Sequence, residues 1–377
     1  MSATNNLTEF NIGRGYSVTF YPTEQLEQIE TLWRELEKGK EMTYFQTYEW
    51  NKMLRRYIPI KCPHYVFTYA VVRRKQEAVM IAPLWLTHFS GWRKVYNRTS
   101  LHKCTFIGCT GFSDYLNFIY STFDEAALDT LFVALREVFG IRLYHLNCLK
   151  EKSSSYQYIR THCPIHSSER EICVSLALPN DKEQYLKMLS KSARQNIRTA
   201  YNRLSTDGLT LTTRFCDESV ERELCNQIRN EKMYLRSLKS QPKTRIQRLQ
   251  QSLNFRLKRM PVLLRSMFVP ELPAAKPYCP IDDDPCAQFL TNTRDEELAA
   301  FFCYGHDSAH HEVVVMAAGT AAAYYRYSPG IIAMYEFILH HISLGDIRTI
   351  DFTRGNESYK YQLGGQEHYI YDLTFNI

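Results

Sequence analysis

The chain has 377 residues, with 46 lysines and arginines against 40 aspartates and glutamates, so its formal net charge is +6. A hydrophobic content of 45% and a charged content of 23% are typical of a globular protein and exclude a disordered or collagen-like chain. At this length we expect two domains, each large enough to bury its own core.

The sequence gives no signal for export or for a membrane span. The first ten residues are polar and lack the apolar core of a signal peptide. The longest apolar stretch, residues 313–325, is too short to cross a bilayer as a helix. We therefore expect a cytoplasmic protein without stable membrane insertion.

The cysteines and histidines do not predict a metal site. The eleven cysteines are scattered, odd in number and without a Cys-x-x-Cys pair, so reduced thiols are expected. The pairs His310-His311 and His340-His341 lack the spacing of metal ligands. We expect no metal cofactor.

In the first half of the chain, hydrophobic periodicity predicts alternating strands and helices. In chain order they are a strand at 16–21, a helix at 26–36, a helix at 48–57, a hairpin of strands 65–73 and 78–86, a strand at 116–120, a helix at 124–139 and a strand that follows Gly140.

The second half predicts a longer series of the same kind. It comprises a strand at 171–178, a helix at 181–204, a strand at 209–215, a helix at 217–238, a basic helix at 241–265, a Pro-rich loop at 270–285, strands at 287–292, 298–304 and 312–318, a helix at 328–343 and a strand at 348–353.

The two halves share one local order of residues. A helix, a glycine, an Ile-Arg pair and a half-apolar strand occur at residues 124–146 and again at 328–353. This predicts a duplicated unit with a strand–helix–strand crossover at its centre. We expect an α/β (α+β) protein of two tandem domains, 1–165 and 166–377, each a mixed central sheet flanked by helices. The second would carry a basic helical segment and the Pro-rich loop at 217–285.

Basic charge is concentrated in the middle of the chain. Residues 187–203 hold five basic residues and no acid, and residues 229–265 hold eleven against one. On the predicted helix 181–204 the cations form one stripe, roughly a third of the circumference away from an apolar stripe. They are Lys187, Lys191, Arg194 and Arg198. The pattern favours an anionic partner, although a solvated helix face would look the same.

A second anion site is predicted where the helix at 328–343 begins. Ser328 stands at the expected N-cap and Pro329 at the first helical position, which is a favourable start. Free N–H groups and the helix dipole at such an end attract phosphate. Gly345 is expected to end the helix, and a loop rich in Arg, Glu, Tyr and Lys follows the next strand.

These residues also carry a resemblance to a known family. The run Arg326-Tyr327-Ser328-Pro329-Gly330, with Asp351-Phe352, Arg354-Gly355 and Tyr359-Lys360, resembles the end of the CelD-like acetyltransferases. These belong to the GNAT superfamily of N-acetyltransferases and share the tandem fold of the FemAB aminoacyl transferases. The Ser113-Asp114-Tyr115 turn and the basic helix at 189–198 fit the same pattern, so the resemblance covers roughly residues 60 to 370.

The resemblance implies acyl transfer from a thioester to an amine. Tyr359 would protonate the leaving thiolate, because a phenol with a pKa near 10 can give its proton to a thiolate. Asp351 and Glu357 are candidate bases, with Asp114 as a rival. Structural roles are also open: Asp351 would then cap a turn, and Glu357 would pair with Arg354 or Lys360.

The resemblance also implies where the acyl donor binds. Arg326, Ser328 and Gly330 match the family's pyrophosphate loop, but Pro329 and the single glycine depart from its usual form and remove one N–H. The other expected contacts to the donor are Arg354, Lys360, Lys191, Arg194 and Arg198. The donor is expected to be acyl-CoA, with an acyl carrier protein or aminoacyl-tRNA left open.

Three functions therefore compete. The first is an N-acyltransferase that acts on a small amine or an amino sugar. The second is a Fem-type transferase that takes its acyl group from aminoacyl-tRNA, in which the helices near residues 217–264 would serve as an arm. The third is a non-catalytic module that binds anions or a carrier protein through its basic segments.

Overall fold

The computed structural model describes residues 8–12, 15–57, 65–88, 102–108, 113–239 and 280–377. The predicted basic helix at 241–265 and most of the predicted Pro-rich loop lie outside these residues. The described part contains no helix that is long and apolar enough to cross a membrane.

The strands are β1 Thr8–Ile12, β2 Tyr16–Pro22, β3 Tyr65–Arg74, β4 Glu77–His88, β5 His102–Phe106, β6 Leu143–Lys150, β7 Ile165–Ala177, β8 Thr212–Arg214, β9 Gln288–Arg294, β10 Glu297–Asp307, β11 Glu312–Thr320, β12 Thr349–Arg354 and β13 Gln366–Asn376. The α-helices are α1 Glu30–Leu36, α2 Tyr48–Leu54, α3 Glu125–Phe139, α4 Ser154–His162, α5 Lys182–Met188, α6 Lys191–Thr206, α7 Arg222–Lys239, α8 Pro280–Asp283, α9 Pro329–Leu344 and α10 Ser358–Gln362.

The chain forms two compact units. Within the described residues, unit 1 contains the chain up to Glu171 and the C-terminal residues 369–377, and unit 2 contains residues 172–239 and 280–368. In this division the C-terminal residues 369–377, which form most of β13, belong to unit 1.

The sheet of unit 1 is mixed. Its strand order is β1-β2-β3-β4-β5-β6-β13, and β5 and β6 are parallel while the other pairs are antiparallel. A parallel pair needs a crossover, and α3 supplies it. Asp124 caps α3 by accepting the Ala127 N–H, and Gly140 ends it in the left-handed conformation, so the predicted helix is confirmed.

Unit 2 repeats this order. Its strands run β8-β9-β10-β11-β12-β7, with β11 and β12 parallel and joined by α9. The helix α9 begins at Pro329 and ends at Gly345, which is left-handed at φ +67°, as predicted. The expected α/β fold with mixed sheets and crossover helices is thereby confirmed.

The core of unit 2 lies on one face of its sheet. Alternate residues of β12 and β7, such as Ile350, Phe352, Val174 and Leu176, pack with α5, α6 and α9. Since side chains alternate along a strand, Asp351 and Ser175 project from the opposite face. A smaller apolar cluster around Cys225, with Ile228 of α7, packs against β9 and β10.

Two local predictions are wrong. The helix predicted at 181–204 is two helices, because Leu189 is extended at φ −70° and ψ 139° and Ser190 caps α6 by accepting the Ala193 N–H. The strand predicted at 116–120 is reduced to a single bridge between Ile119 and Ile81. In both places tertiary packing outweighs the local pattern.

Candidate functional site

The parallel strands of unit 2 separate soon after they meet. β11 and β12 pair only from Glu312 opposite Thr349 to Val314 opposite Asp351. β11 continues to Thr320, so its edge beyond Val314 is not paired with β12 in the described structure. We call this edge, residues 315–320, the open edge of β11.

A β-bulge marks the start of the open edge. On the β10 side, Val315 is opposite Tyr304 and Ala317 is opposite Cys303, so Met316 is an extra residue in β11. A bulge interrupts the ladder and redirects backbone groups, and bulges are common beside active sites. In unit 1 the corresponding ladder of β4 and β5 runs without a shift from Leu84 opposite Phe106 to His88 opposite His102. The bulge therefore distinguishes unit 2 from unit 1.

Beyond Asp351, β12 turns around Thr353. Thr353 has φ +57°, its N–H donates to Asp351 Oδ1 at 2.7 Å, and its hydroxyl donates to the Val315 carbonyl at 3.1 Å. Asp351 is only 1% exposed. Its carboxylate thus holds the turn at the point where β12 leaves β11, which is the structural role that the sequence left open.

Asp351 also has a histidine partner. Its Oδ2 lies 3.7 Å from Nε2 of His368, and Nδ1 of the same imidazole lies 3.4 Å from the Ser175 hydroxyl. Ser175 stands opposite Asp351 in the antiparallel pair of β7 and β12. Three polar side chains from three strands therefore meet on this face of the sheet.

The predicted binding residue Lys360 is buried. Its ammonium donates to the carbonyls of Thr353, Arg354 and Gly355 at 3.2, 2.7 and 3.1 Å and lies 3.1 Å from Glu357 Oε2. The side chain is 2% exposed. Lys360 thus holds the loop that follows β12, and in this geometry its three N–H groups are directed at the loop and not at a ligand.

Tyr359 follows Glu357 in the short helix α10. It is half-buried, and its ring packs edge-on against Phe352 with the ring centres 6.2 Å apart. The loop clamped by Lys360 sets the start of this helix. The candidate acid Tyr359 and the candidate base Glu357 are close in the chain, but the Tyr359 ring packs on the core face of β12 and Asp351 projects from the opposite face.

At the predicted anion site, the start of α9, some of the backbone N–H groups already donate hydrogen bonds within the protein. Ser328 is left-handed at φ +50° and its side chain makes no capping hydrogen bond. The Ile331 and Ile332 N–H groups donate to the Ser328 carbonyl, and Pro329 has no N–H. Gly330 is the remaining amide of this turn. A side chain on Gly330 would lie 3.3 Å from the Thr320 hydroxyl at the end of the open edge.

The two arginines of the predicted donor site, Arg326 and Arg354, contact different residues. Arg326 is exposed, and its guanidinium lies 3.3 Å from Asp207 and over the ring of Tyr327. Arg354 is half-buried at the end of β12, opposite Cys173 in the sheet.

The cations of α6 are all exposed, but Arg194 also makes hydrogen bonds to the backbone of the preceding helix. Lys191 and Arg198 are exposed, and the apolar stripe of α6 is buried as predicted. Arg194, although exposed, donates to the carbonyls of Leu186 and Leu189 at 2.8 Å each. It therefore caps the end of α5.

Asp114 lies in unit 1, whereas the other predicted site residues lie in unit 2. Its neighbours Ser113 and Tyr115 are each 1% exposed. Trp50 donates its indole N–H to Ser113 Oγ at 2.9 Å, and the Tyr115 ring lies under the Lys150 ammonium. The flanking residues of this turn thus contribute to the core of unit 1.

Some residues of the site were absent from the sequence prediction. They are Ser175, Met316, Thr353 and His368. A bulge leaves no sequence signature, and the serine and histidine are nearly two hundred positions apart, so only the fold brings them together. Among the described residues no group of three His, Cys, Asp or Glu side chains could hold a metal ion.

Comparison with known proteins gives a family match over part of unit 2. Residues 283–361 match the family model described as an acetyltransferase (GNAT) domain. No curated protein matches the sequence. The matched segment contains the bulge of β11, the crossover helix α9 and the clamp around Lys360.

Several solved structures are similar to the chain at low sequence identity. FemX is 10% identical, with 97% of this chain and 96% of that one covered and a TM-score of 0.47. L-PGS from Bacillus licheniformis is also 10% identical, with coverages of 93% and 90% and a TM-score of 0.47. A tandem GNAT protein from the clavulanic acid biosynthesis pathway is 11% identical, with coverages of 96% and 98% and a TM-score of 0.41.

The family match and the bulged, diverging strands fall in the same part of unit 2. Residues 283–361 are therefore similar to a GNAT acetyltransferase domain, which indicates that the protein is an acyltransferase.

Proposed function

We propose that the protein is an N-acyltransferase that transfers an acyl group from an acyl thioester to the amine of a small molecule or an amino sugar. The donor is an acyl-CoA bound along the open edge of β11. The amino-sugar acceptor is suggested by the resemblance to the CelD-like enzymes and not by a residue of this chain.

The observation that carries the proposal is the bulge at Met316, where β12 leaves β11. Attack on a thioester carbonyl places negative charge on its oxygen, and a fixed backbone N–H is a strong stabiliser of that charge. The stretch Met316–Ala318 lies at the edge that β12 does not pair with, and it pairs with β10 on the other side. One of these amides is the proposed oxyanion donor.

The length of the open edge fits a donor with an extended arm. From Met316 to Thr320 the strand rises by roughly 13 Å, at about 3.3 Å per residue. Gly330, at the positive end of α9, lies beside Thr320. A donor with its acyl group at the bulge and an anionic group at Gly330 would span this distance, as a thioester on a phosphate-bearing carrier does.

We assign the other predicted residues to roles around the donor bound along the open edge of β11. Tyr359 protonates the leaving thiolate, and Ser328, Arg326 and Arg354 contact the anionic part of the donor. Lys191 and Arg198 add positive charge on α6. We assign Lys360 and Glu357 to holding the loop that carries Tyr359, since their charged groups lie 3.1 Å apart and Lys360 is buried.

A thermal-shift screen of acyl-CoAs tests the donor. A ligand at one hundred times its Kd stabilises the native state by about 2.7 kcal/mol, which is readily measured. We expect a rise in Tm with at least one acyl-CoA and a smaller rise with the Gly330→Val variant, whose side chain would meet Thr320. Stabilisation by none of them would contradict a CoA donor.

A proline scan tests the oxyanion donor. Proline lacks the N–H and is tolerated at bulges, so substitution at Met316, Ala317 and Ala318 removes one amide at a time. Met316→Ala and glycine substitutions at 317 and 318 keep the N–H and serve as matched controls. We expect one folded proline variant to lose about 10²- to 10³-fold in kcat. Full turnover in every folded proline variant would exclude this role for the bulge.

A Fem-type transferase that uses aminoacyl-tRNA is the second candidate, favoured by the exposed Lys191 and Arg198 on α6. Binding to a polyanion through such residues weakens steeply with salt. Titration with total tRNA between 50 and 200 mM salt separates the two donors: tight, salt-sensitive binding without a shift by acyl-CoA favours tRNA. If the protein binds an anion but turns over no amine, the result favours the third function, a non-catalytic binding module.

A further inference from the structure

The face of unit 2 opposite its apolar core carries a row of polar side chains beside the open edge. Asp351 is the last residue of β12 that pairs with β11, Ser175 stands opposite it on β7, and His368 contacts both. Asp351 is the buried member of this row, and a buried carboxylate is costly to maintain unless its oxygens have partners.

Asp351 is poorly placed to take a proton from a substrate. It is 1% exposed, and its Oδ1 already accepts the Thr353 N–H at 2.7 Å. Its other oxygen, Oδ2, is turned toward the His368 ring. A carboxylate in this position can orient a neighbouring imidazole and stabilise its protonated form, as an acid does beside a catalytic histidine.

Glu357 is also poorly placed. Its Oε2 lies 3.1 Å from the Lys360 ammonium and closes the loop after β12. Protonation of this carboxylate would leave the buried Lys360 without its charged partner, at a considerable cost. Of the candidate bases in the described part of unit 2, both carboxylates are therefore committed to holding the chain.

His368 combines access from solvent with a carboxylate partner. Its side chain is 25% exposed, so a substrate can reach the ring. The Asp351 carboxylate faces Nε2 and favours the tautomer with its proton there, which leaves the lone pair on Nδ1. Nδ1 faces the Ser175 hydroxyl at 3.4 Å, and Ser175 is itself partly exposed on β7.

We infer that His368 is the general base of the acyl transfer, with Asp351 as the residue that positions it and Ser175 as the hydroxyl that guides the proton. The inference rests on the proposed function. It replaces the two carboxylates, as proton acceptors, with an imidazole whose ordinary pKa lies near neutrality, where general bases work best.

The amine nitrogen of the acceptor forms a bond to the thioester carbonyl carbon, and the carbon–sulfur bond then breaks. The proton lost by the nitrogen passes to Nδ1 of His368, directly or through the Ser175 hydroxyl, and the imidazolium is stabilised by Asp351. The thiolate takes a proton from the Tyr359 hydroxyl. Tyr359 then regains a proton from solvent, and His368 releases to solvent the proton that it took from the amine.

The test uses the full chain with acetyl-CoA as donor and a panel of primary amines as acceptors. His368→Gln should bind acetyl-CoA with unchanged Kd by calorimetry but lose 10²- to 10⁴-fold in kcat, the usual contribution of a general base. Imidazole added to the assay should restore part of the rate in this variant, which no structural role of His368 would produce.

Two further variants separate positioning from proton transfer. Asp351→Asn should keep the acid limb of the pH–rate profile but move its midpoint to lower pH, because the imidazolium loses its counter-charge. His368→Gln should abolish that limb. Ser175→Ala should lower kcat with little change in the KM for acetyl-CoA, and it keeps the test available if His368→Gln does not fold.

The outcomes distinguish this inference from the proposed function. A wild-type protein that neither binds nor turns over acetyl-CoA refutes the function on which the inference rests. A folded His368→Gln variant that binds and turns over acetyl-CoA like the wild type, with the same pH profile, refutes the inference alone. Loss of turnover without any rescue by imidazole and with an unchanged pH profile also counts against it.

Discussion

Lys360 and Glu357 form an ion pair, with the buried ammonium 3.1 Å from Oε2 of the partly exposed carboxylate and hydrogen-bonded to three consecutive carbonyls of residues 353–355. The pair closes the loop between β12 and α10. Because of this pair, the charged loop between β12 and α10 has a fixed structure and is not only a solvated surface loop.

Replacement of Lys360 by Met should therefore destabilise the protein by about 3 kcal/mol, because the carbonyls lose their donor and Glu357 keeps a charge without its partner. Urea unfolding measures the effect. Lys182→Met, at an exposed position of α5 in the same unit, is the matched control and should stay within about 0.5 kcal/mol of the wild type. Equal stabilities of the two variants would contradict the clamp.

Gly355 should not tolerate a side chain. Its φ is +104°, and a Cβ would lie 2.5 Å from Glu357 Oε2. Gly355→Ala combines backbone strain with a clash, so we expect a loss of roughly 3 kcal/mol in unfolding free energy, near the upper end for such strain.

The control is Gly208→Ala, where φ is +64° but no atom lies within 4 Å of the new Cβ. This variant should lose only about 1 kcal/mol, from the left-handed backbone alone. If both alanine variants lose the same amount, contact with Glu357 contributes nothing. In a Glu357→Ala background, where the clash is gone, Gly355→Ala should lower the unfolding free energy further by only about 1 kcal/mol.

Arg194 and Arg198 should differ although both lie exposed on α6. Arg194 holds two carbonyls at the end of α5, so Arg194→Ala should lower the unfolding free energy by about 1 kcal/mol. Arg198→Ala should change it by less than about 0.5 kcal/mol. Chemical denaturation of the two variants side by side checks this. A larger loss with Arg198→Ala would mean that α6 is anchored differently.

His341 should make stability depend on pH. Burial lowers the pKa of His341 below its ordinary value of 6.5, and it outweighs the hydrogen bond to Asp346, which raises the pKa. The unfolded state then binds a proton more readily than the native state as pH falls below 6.5, so stability is lost on the acid side.

His341→Gln removes this effect. The unfolding free energy of the wild type minus that of the variant should decrease between pH 8 and pH 5, as measured by denaturation at several pH values. A difference that is constant or grows toward low pH would show that His341 takes up its proton as easily in the native state as in the unfolded one.

Much of the fold follows from local signals in the sequence. Asp124 and Gly140 bound α3, and Pro329 and Gly345 bound α9, because caps and left-handed glycines act within one turn of chain. The crossover in each half could be predicted for this reason. The break at Leu189 could not, since a buried leucine fits one long amphipathic helix as well as it fits two.

The site was less predictable. The charged loop after β12 was identified, but the roles of Lys360 and Asp351 depend on which carbonyl and amide groups the fold turns toward them. His368 of β13 and Ser175 of β7 meet only in the folded sheet, and no local pattern encodes a contact over such a separation. The bulge at Met316 arises from the ladder with β10 and has no residue signature of its own.

The central claim is that the acyl donor lies along the open edge of β11, with its carbonyl at the bulge. A crystal structure with a stable ketone analogue of acetyl-CoA, in which a methylene group replaces the thioester sulfur, tests it most directly. We predict the carbonyl oxygen at about 2.7–3.1 Å from a backbone nitrogen of residues 316–318 and a phosphate near Gly330. Density for the analogue elsewhere, with this edge left uncovered, would contradict the account.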